Sequence, residues 1–147
     1  MPRRTRPLGL SIIAALLALL AICGFANSYI WAQLSATLPA DTPADFRALV
    51  SALASPLVSA AAILCGITGL SAAVGAWLIR SWAPTAILAW GVAAFALGSI
   101  FLLRIGQLIT PAPTSLKIAA AMGLALTVAI VTGIFVYVRR KTLHPDA

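Results

Sequence analysis

Residues Gly66–Gly91 read GITGLSAAVGAWLIRSWAPTAILAWG. An apolar run ends in Trp77-Leu78-Ile79, a turn of about four residues carries Arg80, and a second apolar run opens at Pro84. Proline suits the first turn of a helix, where its missing N–H costs nothing. So short a turn forces the two helices to lie antiparallel and adjacent. Trp77 and Trp82 flank Arg80, and aromatic and basic residues together mark a membrane–water interface. The stretch is therefore a transmembrane hairpin.

Composition agrees with that reading. The chain has 147 residues, 62% hydrophobic and only 9% charged. A soluble domain carries roughly 25% charged residues, so most of this surface faces lipid. The net charge of +7 comes mainly from basic residues flanking the apolar runs. That is the signature of membrane topology and not of a nucleic-acid partner.

Outward from the hairpin, the pattern predicts an all-α polytopic bundle, a single domain over residues 1–147. Its four spans fall near 8–31, 56–79, 84–108 and 116–138, each long enough for a bilayer core of about 30 Å. The first follows Arg3, Arg4 and Arg6 and carries Tyr29 and Trp31 at its far end. A basic start, an apolar run and Gly24-Phe25-Ala26 also fit a cleaved secretory signal. The apolar run continues to Trp31, which favours an uncleaved helix. Pro56 opens the second span. Thr110–Thr114 is a short proline-rich turn, and Arg139-Arg140-Lys141 is expected to stop the last span.

Residues 32–55 form a polar linker with a short amphipathic helix. Thr42 is the expected N-cap, Pro43 the first helical residue and Asp45 the return partner of a capping box. Phe46, Leu49, Val50 and Leu53 recur at i, i+3, i+4 and i+7, giving one apolar stripe. The helix lies on the outer surface or caps the bundle mouth; a lid over a cavity is the sharper alternative.

Counting basic residues orients the chain. Arg3, Arg4, Arg6, Arg80, Arg139, Arg140 and Lys141 share one side, against Arg47, Arg104 and Lys117 on the other, seven to three. Both termini are expected to be cytoplasmic, in the inner membrane of a bacterium.

In lipid, helices associate where small residues let backbones approach. Ala61, Cys65, Gly69 and Ala73 recur every four residues on the second span; Ala121, Ala125, Ala129 and Gly133 do so on the fourth. Ala86, Ala94 and Gly98 are the small residues of the third. Gly69, Ala73, Ala125, Ala129 and Gly133 are the expected packing positions, within one chain, in a homo-oligomer or in a larger membrane complex.

Arg104 is the one charge inside an apolar run, about 20 residues and ~30 Å along its helix. It should reach the outer interface by snorkelling, by pairing with Asp41 or Asp45, or as an anion or headgroup site assisted by Gln107. Arg104, Gln107, Asp41 and Asp45 are thus the candidate outer polar site. Cys23 and Cys65 lie at similar depth; packing is the plainer role for each, since a disulfide needs Cα atoms within about 7 Å and helix axes sit about 8–10 Å apart. No Asp or Glu lies in any span, where proton-coupled carriers generally hold one. No metal-ligand spacing, nucleophile elbow or phosphate loop is present. No cofactor, metal or catalytic residue is expected.

Arg6-Pro7-Leu8-Gly9 entering an apolar helix, together with Gly75-Ala76-Trp77-Leu78-Ile79-Arg80-Ser81-Trp82-Ala83, resembles small bacterial four-helix membrane proteins of uncharacterised function. The resemblance implies a layout and carries over no activity. The leading expectation is a non-enzymatic accessory or interaction subunit. A small-solute or lipid-handling transporter or pore with Arg104 at its outer mouth is the alternative, and a membrane enzyme stands third.

Overall fold

The computed structural model describes residues 8–108 and 114–143. They form five helices and no strand: α1 (Leu8–Thr37), α2 (Ala44–Leu53), α3 (Pro56–Trp77), α4 (Ala83–Leu108) and α5 (Thr114–Leu143). All but α2 are long and apolar enough to cross a membrane. The protein is an all-α polytopic bundle, as the apolar runs require: with no water at depth, each backbone polar group must be satisfied within its own helix. Side-chain hydroxyls follow the same rule. Thr68 donates to Leu64 O at 2.9 Å and Ser71 to Ile67 O at 2.9 Å, so these donors are not turned bare toward lipid.

Neighbours in sequence are neighbours in space. α1 packs on α3, α3 on α4 and α4 on α5, while α2 touches α1 and α4. α1 and α5 meet near one end, where the Tyr137 side chain covers Gly9. One apolar cluster joins Leu10 and Leu17 of α1, Ala72 and Ala73 of α3, Ile87 and Trp90 of α4, and Val131 and Val138 of α5. That core lies in the half of the bundle that also holds Arg80, Arg139, Arg140 and Lys141, the basic end. At the opposite, linker end, Val50 and Leu53 of α2 are buried. Leu49 is half-buried and Phe46 is exposed, so the predicted stripe seats only through its C-terminal half.

Several boundaries differ from expectation. α1 runs on to Thr37, six residues past Trp31, because Ala32–Thr37 contains no helix breaker and Ser35 and Thr37 bond back to Ala32 O and Gln33 O. α5 continues through Arg139–Lys141 to Leu143; arginine and lysine are good helix formers and favour a helix C-terminus, so this cluster marks the interface without ending the helix. The capping box is absent: α2 begins at Ala44, Pro43 holds the N-cap position and no side chain caps the helix. Proline there leaves Thr42 one residue too early. The expected 110–113 turn, Met1–Pro7 and the tail from His144 lie outside the described residues.

The hairpin of the opening stretch closes on an unusual residue. Ile79 has φ of 51°, the left-handed region where a β-branched side chain is strained. Around it the Arg80 N–H donates to Gly75 O at 3.0 Å and the Ile79 N–H to Ala76 O at 3.3 Å. These are the two bonds of a Schellman stop, a position usually given to glycine. Here the Ile79 side chain packs against the apolar core, which offsets the backbone strain.

Candidate functional site: the two ends of the bundle

At the linker end the organising cation is Arg47 on α2. Its guanidinium donates to Ala40 O at 2.6 Å and to Thr42 O at 3.2 Å, tying the α1–α2 loop to the helix that follows. Ser35, Leu38, Pro39, Val50 and Ser51 complete a cleft of about 270 Å³ beside it. Within α1, the Trp31 indole N–H donates to Asn27 Oδ1 one turn earlier at 3.0 Å.

The four residues of the candidate outer polar site are all near this end: Arg104 and Gln107 on α4, Asp41 in the α1–α2 loop and Asp45 in the first turn of α2. Arg104 is half-buried and Gln107, Asp41 and Asp45 are exposed. Among the described residues no hydrogen bond or ion pair joins any of them to another. A half-buried arginine near a helix terminus can carry its charge to the headgroups along its aliphatic stem. At the mouth of α3, the Ser55 hydroxyl is closed off from solvent with no hydrogen-bond partner.

The packing positions divide. Gly69 of α3 is gripped from two sides: a Cβ there would stand 3.1 Å from Trp90 of α4 and 3.2 Å from Ala21 of α1. Ala73 is buried beside it. Ala125 and Ala129 are exposed, and a Cβ at Gly133 would meet nothing within 4 Å. The structure thus brings the second-span ladder into a seam and leaves the fourth-span ladder facing outward. Two close approaches escaped sequence reasoning: Gly66 lies against the ring of Phe25, and Gly91 against Val131. Neither glycine belongs to a four-residue ladder, so only the bulk of the partner side chain across the seam reveals it. Arg47 gave no advance signal either, because its acceptors are backbone carbonyls.

At the basic end, Arg80 is exposed in the turn, with Trp77 and Trp82 each about half exposed around it. Arg139 lies over the Phe135 ring at 6.0 Å. A groove between α1 and α3 opens onto this end and is lined almost wholly by carbon; a second, between α4 and α5, is also apolar. Cys23 and Cys65 are both free thiols. Among the described residues, no group of histidine, cysteine and acidic side chains is placed to hold a metal.

Four helices long and apolar enough to cross a membrane, with the described charged side chains near the two ends, make this chain a multi-pass integral membrane protein. No family model, curated protein or solved structure matches it.

Proposed function

We propose that this chain is a non-enzymatic accessory or interaction subunit of a bacterial inner membrane, both termini cytoplasmic, docking a partner through the small-residue face of α5. One observation carries the reading. Ala121, Ala125, Ala129 and Gly133 form a ladder suited to close helix contact, yet the three alanines are exposed and a Cβ at Gly133 would meet nothing within 4 Å. Among the described residues of α5 only Val131 and Val138 are buried. The rival transporter reading asks for a polar path reaching Arg104, and the α1–α3 and α4–α5 grooves are lined mainly by apolar side chains, Thr127 and Thr132 apart, with Arg104 in neither. Photo-crosslinking in intact membranes tests the proposal. A crosslinker at Ala125 should give a discrete protein adduct, and one at lipid-facing Leu19 should not; lipid adducts alone from both positions would overturn it.

The orientation rests on the seven-to-three distribution of Lys and Arg. Arg80, Arg139, Arg140 and Lys141 share one end of the fold, as that count requires. With Cys23 and Cys65 replaced, a cysteine introduced as Ser35→Cys should react with an impermeant reagent from the periplasm. Reaction only from the cytoplasm would reverse the topology.

A further inference from the structure

We propose that the basic end holds a phospholipid with an anionic headgroup: one acyl chain lies in the groove between α1 and α3 and the phosphate sits at Arg80. The groove is a cleft of about 390 Å³ whose walls include Ala14, Ala15 and Ala18 of α1 and Leu70, Val74 and Trp77 of α3. Its polar lining is negligible, so it offers nothing to a hydrated solute. Three alanines on one wall leave a trough where larger side chains would have closed the surface. From Leu70 to Leu78 the groove spans eight residues, about 12 Å of helix rise, which is chain length rather than headgroup size. It does not end blindly. Its last wall residues, Trp77 and Leu78, lead directly into the turn that carries Arg80.

Arg80 supplies the second half of the site. Its side chain is exposed and makes no hydrogen bond or ion pair with a described residue, although the turn around it is pinned by the Arg80 N–H bond to Gly75 O and the Ala83 N–H bond to Arg80 O, both 3.0 Å. A rigid backbone thus presents an uncommitted guanidinium at the mouth of an acyl trough. Arginine matches a phosphate with a two-pronged set of donors. Trp77 and Trp82 stand on either side, the residues suited to the headgroup level. Among the described residues no acidic side chain competes: Asp41 and Asp45 are both at the other end. Neither groove has a cation in its lining, and the α4–α5 groove carries Thr127 and Thr132. The α1–α3 groove differs in that its last wall residues lead into the Arg80 turn, whereas no wall residue of the other adjoins a charged residue in sequence.

The test is native mass spectrometry of the full chain in mild detergent, with phosphatidylglycerol or phosphatidylcholine added at equal concentration. The wild type should retain phosphatidylglycerol about fivefold better, the factor expected of one basic residue at an anionic surface. Arg80→Ala should abolish that preference and leave phosphatidylcholine retention unchanged; Arg80→Lys should keep most of it. Ala15→Leu, on the exposed wall, should lower retention of both lipids by filling the trough. Circular dichroism melts without lipid show that each variant is folded. Equal retention of the two lipids by the wild type would overturn the proposal. An undiminished preference in Arg80→Ala would overturn it too, by placing the headgroup at Arg139–Lys141. Displacement of bound phosphatidylglycerol by millimolar inorganic phosphate would show a free-anion site and likewise reject it.

Discussion

Helices α3 and α5 carry the same device and put it to opposite use. Each has four small residues at four-residue spacing. In α3 the ladder is closed: 33% of its most apolar 18-residue window is buried, against 6% for α5. The spacing states where a backbone can be approached and is silent on whether anything approaches. Chain order supplies the rest. α3 sits between two partners, α1 across the long linker and α4 across the Ile79 turn, so both its flanks find neighbours. α5 packs mainly on α4, and its outward flank is left over.

The largest effect should follow from breaking the closed ladder. Gly69→Leu forces a branched side chain between Trp90 and Ala21, and overpacking typically costs ~1–3 kcal/mol. Because both neighbours belong to packed helices, the cost should fall near the top of that range, read as a lowered thermal midpoint in detergent. A Gly69→Leu midpoint equal to that of wild type would remove the contrast between the helices.

Gly91→Leu should be milder. The nearest atoms to the added carbon all belong to Val131, on a helix packed mainly against α4, so α5 can yield where Trp90 and Ala21 cannot. Faster hydrogen exchange over 121–133 with a nearly unchanged global melt is the expected pattern. Global unfolding equal to that of Gly69→Leu would show α5 to be as firmly integrated as α3.

Ile79→Gly sharpens the comparison at the closed end of α3. Left-handed backbone costs a non-glycine residue roughly 1–2 kcal/mol, which glycine would relieve, while the packing of the side chain on the core would be lost. The two terms oppose, and the melt should move by no more than ~1 kcal/mol in either direction. A larger loss would make the side chain, and not the backbone, the lock of the hairpin.

The smallest effect belongs to Ala125→Leu in the isolated chain. The site is exposed, and surface substitutions usually fall within about 0.5 kcal/mol. In membranes the same change should erase the Ala125-region protein adduct, because a leucine holds an approaching helix away. Strong destabilisation of the purified monomer would instead place this ladder inside the fold.

Much of this was legible in the residues. Spans starting at Leu8, Pro56 and near Pro84 follow from lengths of apolar sequence, since a bilayer demands about 20 such residues of a helix. The linker helix was visible from Phe46, Leu49, Val50 and Leu53. Its cap was not, because Pro43 and Thr42 both favour helix starts and only the backbone decides which position each takes. The extent of α1 and α5 was missed for a related reason: once a helix leaves the hydrocarbon, hydropathy no longer reports where it stops. For the candidate site, Arg104 stood out as a charge in an apolar run, whereas Arg47 looked like an ordinary linker charge until the loop folded back onto it.

The sequence by itself determined the class of environment, the number of crossings and the alternation of charge between the two ends. Each is a local property, fixed by transfer of segments of about 20 residues between water and lipid. Only the tertiary structure decided that Gly69 is gripped while Gly133 is bare, that Gly66 meets Phe25, and that the trough beside Ala15 opens at Arg80. Between helices in lipid there is little hydrophobic force to choose a partner face. The choice falls to steric fit between residues far apart in the chain, such as Ala21, Gly69 and Trp90, and no single stretch of sequence contains all three.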